Sequence, residues 1–304
     1  MTFEGIRQNI DSLFMASEPK DFTSVSPSAK SLLLLKGYTN IPYAKETAAL
    51  MQGDEVFDLN FKDKDFWFWA RVLHFESRYW SIDQLLRQTD SRNILELSSG
   101  FSLRGLHRCA HDATTHYIDT DLPEVIAQKK SLISQQHLDA SLKGRLELLP
   151  LNALDAQAFR EVVRRFEDGP VTIVNEGLLM YLNEDEKKQL CRNIHQTLKT
   201  RGGCWITADI YVKRPAEVTM AIPQSKGEAA FFEQHQVEEN KFDSYEAAAA
   251  FFREQGLEVV AEAAPDRDAL SALPQLMAAL PEEMKGKSSA AMPKIQATWM
   301  LRAL

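Results

Sequence analysis

Short β-forming runs alternate with helix-like segments from residue 93 onward, and no other feature of the sequence constrains the fold as strongly. Strands that alternate with helices predict an α/β domain whose mostly parallel sheet has helices on both faces. The predicted strands are Asn93–Leu97, Thr115–Ile118, Arg145–Leu149, Val171–Val174, Cys204–Ile210, Leu257–Glu262 and Ala297–Arg302. The predicted helices between the first five strands are Arg104–His111, Pro123–Leu138, Ala156–Phe166 and Glu184–Leu198.

The region before residue 93 is predicted to be helical. One helix begins at Ser26, which is followed by proline, and stops at Gly37. Two further helices are predicted at Ala44–Met51 and Asp65–Arg87. The four aromatic residues at 66–69 are expected to pack in the core between helices, because buried aromatic side chains usually serve packing.

This pattern predicts two units, a helical cap at residues 1–90 and the α/β domain at 91–304. A polar segment at about 211–242 is expected to form a lid-like insertion, since loops of this length in compact domains commonly cover or bind ligands. Capping-box spacing predicts helix starts at Asn183 with Glu186 and at Asp243 with Glu246.

The charge balance excludes some classes of partner. Lys and Arg number 35 against 43 Asp and Glu, so the formal net charge is −8, whereas nucleic-acid binders usually show a basic face. The first 25 residues are charged and lack the apolar core of a signal peptide, and no apolar run is long enough for a membrane span. Cys109, Cys191 and Cys204 are few and widely spaced, which suits a reducing cytosol. We therefore expect a cytoplasmic protein without nucleic-acid or membrane partners; the sequence does not predict its oligomeric state.

The end of the first predicted strand has the features of a nucleotide-binding turn. Small residues around Gly100 let the backbone approach a ligand, and the helix that follows offers free N–H groups. The full G-x-G-x-x-G pattern is absent, so this turn alone is not specific. Asp119 and Asp121 lie 19 and 21 positions after Gly100, where an acid commonly holds a ribose. We favour Asp121; the alternative is that one of the two only caps the helix begun by Pro123.

Two later turns complete the predicted site. After the third strand, Asn152 and Ala153 could hold an adenine, whereas Asp155 is better placed to cap the next helix. After the fourth strand, Glu176 follows an apolar run and is therefore expected at the crevice beside the point where the strand order reverses.

Four motifs in this order, ILELSSGFSLRG, YIDTDLPEVIAQKKSLI, NALD and NEGLLMYL, resemble those of the leucine carboxyl methyltransferase family and its bacterial relatives among class I O-methyltransferases. The resemblance covers about residues 70–210. It implies a Rossmann-like class I methyltransferase fold with a seven-stranded, mostly parallel sheet whose last strand is antiparallel. It also implies S-adenosylmethionine as cofactor and a small-molecule or peptide acceptor methylated on a carboxylate or hydroxyl.

The resemblance implies roles for individual residues. Arg78 resembles the arginine that grips the methionine carboxylate, Asp121 the ribose-binding acid, and Glu176 the acid near the sulfonium and the acceptor. Tyr181 matches a tyrosine one helical turn further on. The implied catalytic residues are Glu176 and Tyr181. The implied cofactor-binding residues are Arg78, Glu96, Ser98, Gly100, Ser102, Arg104, Asp119, Asp121, Leu122, Asn152, Ala153, Glu176 and Gly177.

The sequence departs from the family pattern at three points. Ser98 replaces the usual first glycine, Ser102-Leu103 stands where an Asp-Thr pair is common, and Asn152 stands where many members have aspartate. The substrate of the protein-phosphatase-directed members is therefore not carried over. A non-catalytic adenosyl-binding relative remains an alternative, as does a nicotinamide-dependent oxidoreductase, although the missing glycines disfavour the latter.

The acceptor decides whether a general base is needed. A carboxylate acceptor is already ionised at pH 7, whereas a hydroxyl acceptor is helped by a base, for which Glu176 is the first candidate. The alternatives for Glu176 are that it offsets the positive sulfonium electrostatically or that it only anchors its own loop. No metal site is expected: His107 and His111 share a helix face, but Cys109 between them points elsewhere.

Overall fold

The structure is a computed structural model that describes residues 26–51, 57, 59, 61–90, 92–214, 222–284 and 294–304. Within these ranges the strands are β1 Asn93–Leu97, β2 His116–Asp121, β3 Arg145–Pro150, β4 Val171–Asn175, β5 Gly203–Tyr211, β6 Leu257–Glu262 and β7 Gln296–Ala303. The helices are α1 Ser26–Lys36, α2 Ala44–Leu50, α3 Phe66–Leu86, α4 Arg104–His111, α5 Pro123–Gln135, α6 Ala156–Val163, α7 Glu184–Arg201, α8 Lys226–Gln234, α9 Tyr245–Glu254 and α10 Leu273–Ala278. None of these helices is both long and apolar enough to cross a membrane.

The seven strands form one sheet in the order β3-β2-β1-β4-β5-β7-β6. Strand β1 pairs in parallel with β2 and β4, so that Leu95 lies opposite Ile118 on one side and Ile173 on the other. Strand β7 runs antiparallel to both β5 and β6. The predicted sheet is therefore confirmed. The strand order reverses between β1 and β4, and ligands of such sheets bind in the crevice at the carboxyl ends of these strands.

Strands β1, β2 and β4 are buried along their whole length, because helices cover both faces of the sheet. On one face Leu95 and Ile173 pack in a cluster with α6, α7 and α9. On the other face Ile94 and Val174 pack in a cluster with Ile82 of α3. These two apolar layers fix the sheet, and the loops at its carboxyl edge are thereby held in place.

Helix α3 connects the N-terminal helices to the sheet. Asp65 begins it by accepting a hydrogen bond from the backbone N–H of Phe68 at 2.8 Å. The buried carboxylate of Glu76 accepts hydrogen bonds from the backbone N–H groups of Ser271 at 2.8 Å and Ala272 at 2.9 Å, just before α10. Of the aromatic run predicted to be core, Phe68 is buried in an apolar cluster and Trp69 packs against that cluster. Phe66 and Trp67 are only half-buried and pack against each other. A separate cap at residues 1–90 stays a prediction, and its first 25 residues lie outside the described ranges.

The segment predicted as a lid-like insertion contains α8 in its described part, while residues 215–221 lie outside that part. The capping box predicted at Asn183 is confirmed. The one predicted at Asp243 is wrong, because α9 is capped one residue later by Ser244, which accepts a hydrogen bond from the backbone N–H of Ala247 at 3.1 Å. Asp243 instead pairs with Lys213 at 2.7 Å.

Candidate functional site

A cavity of about 300 Å³ lies at the carboxyl ends of β1 and β4, a size found in small-molecule sites. Helices α1 and α3 and the loops after β1 to β5 form its wall. Most of the predicted site residues line it, namely Arg78, Ser98, Gly100, Ser102, Asp121, Leu122, Asn152, Ala153, Glu176, Gly177 and Tyr181. Glu96, Arg104 and Asp119 do not line the cavity. Arg104 and Asp119 contact the lining residues Glu176 and Ser99, and Glu96 contacts Arg104.

The turn after β1 brings backbone to the cavity. Ser98 and Gly100 both adopt left-handed conformations, with φ of 48° and 53°. A Cβ atom on residue 100 would lie 3.2 Å from the Cβ of Ala29, so the glycine allows α1 to approach the turn. A left-handed conformation costs a non-glycine residue about 1–2 kcal/mol, and Ser98 bears this cost at the first glycine position of the family pattern. Backbone strain of this kind concentrates at functional sites.

The two carboxylates at the end of β2 have different surroundings. Asp121 lines the cavity and accepts two backbone hydrogen bonds at 2.7 Å, one of them from Gly100. Asp119 lies behind it and binds the buried Lys129 ammonium at 2.7 Å and the Ser99 hydroxyl. Burial raises the pKa of the Asp121 carboxyl, and its two N–H bonds oppose that rise. Because each oxygen of an ionised carboxylate has two lone pairs, Asp121 can still accept hydrogen bonds from ligand hydroxyl groups.

The turn after β3 presents Asn152 and Ala153. The Asn152 side-chain oxygen accepts a hydrogen bond from the backbone N–H of Leu154 at 3.0 Å, which leaves its amide N–H groups for a ligand. Asn193 of α7 holds the turn by donating to the carbonyl of Ala153 at 2.9 Å. Asp155 caps α6 by accepting from two backbone N–H groups, as predicted.

Arg78 has unmet hydrogen-bonding capacity at the cavity. Its side chain is 2% exposed, and Nη1 donates to the hydroxyl of Tyr211 at 3.2 Å. Nε lies 3.7 Å from Glu176 and Nη2 lies 3.7 Å from Asp209, and neither nitrogen has a hydrogen-bond partner among the described residues. Both nitrogens are sealed from the cavity as the side chain lies, so a ligand carboxylate would pair with them only if the guanidinium turned toward it.

Glu176 lies at the centre of a cluster of three cations. Its carboxylate accepts a hydrogen bond from Lys36 Nζ at 2.7 Å and lies 3.3 Å from Arg104 Nη2 and 3.7 Å from Arg78 Nε. Burial alone would raise the pKa of Glu176, but attraction to Lys36, Arg78 and Arg104 lowers that pKa to about 2. The side chain is therefore ionised at neutral pH.

Arg104 orients this cluster from behind the cavity wall. Its Nη1 donates to the carbonyl of Tyr79 at 3.1 Å and binds Asp83, and its Nε lies 3.6 Å from the buried Glu96. With its guanidinium held on that side, Nη2 is directed at Glu176. Arg104 thus acts on the site through Glu176, and Glu96 acts on it only through Arg104.

The turn after β4 is held by Asp209 of β5. Its carboxylate accepts hydrogen bonds at 2.6 Å from the side-chain amide of Asn175 and from the backbone N–H groups of Gly177 and Leu178. Gly177 has a φ of 85°, and a Cβ there would lie 3.0 Å from Nη2 of Arg78. The glycine therefore allows Arg78 to lie against the turn.

Tyr181 links three elements around the cavity. Its hydroxyl forms a hydrogen bond with Ser28 of α1, and its ring packs edge-on against Phe231 of α8 with 6.0 Å between centroids. Burial raises the pKa of Tyr181, so the phenol is neutral at physiological pH.

The histidine-rich stretch on α4 holds no ligand cluster. Nδ1 of His111 bonds to the carbonyl of His107 at 2.8 Å, and the Cys109 thiol contacts the carbonyl of Arg145. Across the described ranges no three His, Cys, Asp or Glu side chains come together to hold a metal.

Sequence reasoning missed four residues of the site, Lys36, His74, Asp209 and Tyr211. Lys36 ends an apolar helix and Asp209 interrupts an apolar strand, and a charge in such a run is a usable signal of a buried functional group. His74 and Tyr211 offered no comparable signal.

The leucine carboxyl methyltransferase family matches residues 37–195, just over half of the 304 residues. No curated protein matches the chain. A solved DUF574 family protein from Streptomyces avermitilis shares the fold, with 16% identity, a TM-score of 0.55 and coverage of 91% of this chain and 97% of that one. The mitomycin 7-O-methyltransferase MmcR matches with 14% identity, a TM-score of 0.47 and coverage of 94% and 74%. A structure described as a pericyclic reaction enzyme matches 75% of this chain with 10% identity and a TM-score of 0.43. The chain spans about half, 47%, of the length of that structure.

Proposed function

This chain belongs to the leucine carboxyl methyltransferase family, and we propose that it methylates a carboxylate or hydroxyl oxygen of a small molecule or peptide. Membership places it among the S-adenosylmethionine-dependent methyltransferases, with S-adenosylmethionine as cofactor. The observation that carries the proposal is the buried Arg78 guanidinium on the cavity wall, which has two N–H groups without partners beside Glu176.

The residues on the cavity wall fit the parts of this cofactor. We assign Arg78 to the amino-acid carboxylate, because it is a cation on the cavity wall and a guanidinium can pair with both oxygens of a carboxylate. We assign Asp121 to the ribose hydroxyls and the turn at Gly100 to the segment between ribose and amino acid. Asn152 and Ala153 would hold the adenine, for which the Asn152 amide offers N–H donors.

When bound, the cofactor supplies a methyl group activated by a positively charged sulfur. The chain must align an acceptor oxygen with that group and exclude water, and such positioning can contribute about 7–11 kcal/mol in well-oriented systems. Glu176 is ionised and held by three cations, so it takes up no proton at neutral pH. This favours an acceptor that is already ionised, a carboxylate, over a hydroxyl that needs a base. We propose that Tyr181 shapes the acceptor side of the cavity.

Calorimetry with S-adenosylhomocysteine tests the proposal. We expect binding by the wild-type protein and at least a tenfold loss of affinity in Arg78→Ala, because a charge-assisted pair is removed. Arg87→Ala, at the exposed end of the same helix, is the matched control and should bind like wild type. Binding of NAD without S-adenosylhomocysteine would support the oxidoreductase alternative and refute our assignment. Tight S-adenosylhomocysteine binding without methyl transfer to any acceptor would support the non-catalytic alternative.

We also propose a cytoplasmic location and no nucleic-acid or membrane partner. The net charge of −8 supports the second point, and three free, buried cysteines support a reducing compartment.

A further inference from the structure

One face of α3 carries three polar side chains to the cavity. Arg71, His74 and Arg78 follow one another at spacings of three and four residues, which places them on the same side of the helix, and all three line the cavity. Arg78 is assigned to the cofactor. Arg71 pairs with Glu228 of α8 and donates to the carbonyl of Pro223 at 2.6 Å. His74 is the member of this row whose hydrogen-bonding capacity is not used up.

The surroundings of Tyr211 fix the tautomer of His74. Nη1 of Arg78 donates to the Tyr211 hydroxyl oxygen, because a guanidinium has no acceptor. Nε2 of His74 lies 2.8 Å from the same oxygen. Burial, reinforced by the Arg78 charge, lowers the pKa of His74 to about 3, so the ring is neutral. Within the described ranges the Tyr211 hydroxyl has no acceptor other than Nε2, so its hydrogen is donated to Nε2 and the ring proton of His74 is on Nδ1.

Nδ1 of His74 is open to the cavity. It has no hydrogen-bond partner within the described ranges. It is also not one of the fully buried side-chain atoms that lack a partner, so part of its surface is accessible. The ring of Phe75, which also lines the cavity, lies 5.2 Å from the His74 ring between centroids, so the imidazole has an apolar neighbour there. A hydrogen-bond donor in apolar surroundings favours a ligand atom that accepts over one that donates.

We propose that His74 binds the methyl acceptor, donating its Nδ1–H to an acceptor oxygen and so selecting oxygen acceptors, carboxylates above all, against ammonium groups. The inference rests on the proposed function, since it names a specificity residue of the same cavity. The preference for a carboxylate over a hydroxyl follows from the ionised Glu176, which is held by its cations and supplies no base for a hydroxyl.

Nitrogen NMR of 15N-histidine-labelled protein, saturated with S-adenosylhomocysteine, tests the tautomer. The chain has seven histidines, and His74→Gln assigns the resonances of interest. We expect a protonated Nδ1 and an accepting Nε2 in the wild-type protein, and loss of this preference in Tyr211→Phe. A wild-type His74 protonated on Nε2 would overturn the proposal. Failure of S-adenosylhomocysteine to bind the wild-type protein would instead refute the proposed function.

A titration with benzoate as carboxylate probe tests the acceptor contact in the same loaded protein. His74→Asn keeps a donor near the Nδ1 position, whereas His74→Gln keeps only a group near Nε2. We expect benzoate to shift the His74 Nδ1 resonance, with affinity about tenfold weaker in His74→Gln and near wild type in His74→Asn. Equal affinity in wild type and His74→Gln, or no His74 shift on adding benzoate, would overturn the proposal.

Discussion

Replacement of Glu176 by glutamine removes one negative charge from the cluster and leaves its three cations without their shared partner. The carboxylate joins Lys36 of α1, Arg78 of α3 and Arg104 of α4. Glutamine keeps the shape and one acceptor oxygen but not the charge. Breaking a buried ion pair by removing one partner is strongly destabilising, because the remaining charges stay buried.

The pKa of Glu176 gives the magnitude. A fall from 4.5 to about 2 corresponds to about 3 kcal/mol of stabilisation at neutral pH, at 1.36 kcal/mol for each pKa unit. Because the pKa in the folded state is the lower one, this stabilisation is fully present above pH 4.5. It is lost as the pH falls through about 2. Glu176→Gln should therefore be less stable than wild type at pH 7, and the difference should shrink as the pH falls below 4.5.

Urea unfolding at pH 7 and at pH 3.5 measures this difference directly. We expect Glu176→Gln to lose about 3 kcal/mol at pH 7, which for a chain of 304 residues corresponds to a melting temperature lower by about 5 °C. At pH 3.5 the difference should fall to about 2 kcal/mol. Glu184→Gln is the matched control, because its carboxylate also pairs with a lysine but is 73% exposed, and it should not change stability measurably. Equal stability of wild type and Glu176→Gln at pH 7 would show that the Glu176 carboxylate does not stabilise the fold through its three cations.

Two further substitutions test the binding geometry. Gly177→Ala should weaken S-adenosylhomocysteine binding roughly tenfold in calorimetry, because the added Cβ displaces the Arg78 guanidinium; Gly202→Ala, also at positive φ but with no atom within 4 Å of the added Cβ, should leave affinity unchanged. Asp121→Ala should weaken binding more than Glu176→Gln does, since only Asp121 is assigned to the ribose hydroxyls, and an equal loss in both would mean that the ribose is placed wrongly.

The predictable part of the site lies in the turns that follow strands. Gly100, Asp121 and Glu176 each lie two or three positions after the last apolar residue of a strand, and parallel strands bring their carboxyl ends to one edge of the sheet. The choice between Asp119 and Asp121 could not be settled this way. Both lie at the end of β2, two positions apart, so their side chains are on the same face of the sheet. Lys129 of α5 separates their surroundings by binding Asp119, and its approach depends on how the helix packs.

The unpredicted part of the site comes from helices that pack over that edge. Lys36 and His74 meet Glu176 and Tyr211 across 140 and 137 positions of the chain, and no local pattern encodes contacts of that range. The same holds for α8, whose Phe231 reaches Tyr181 only in the folded chain. Helix periodicity predicts that such helices exist, but not which polar side chain of each reaches the cavity.

Glu176 is the point at which the sheet edge meets α1, through Lys36, and α3, through Arg78. A ligand carboxylate at Arg78 would compete with Glu176 for the same guanidinium and would leave more of the Glu176 charge to Lys36. Cofactor binding should therefore strengthen the attachment of α1 to the sheet edge. Hydrogen exchange should show greater protection of the α1 backbone when S-adenosylhomocysteine is bound. Unchanged exchange in α1 would show that cofactor binding does not strengthen the attachment of α1.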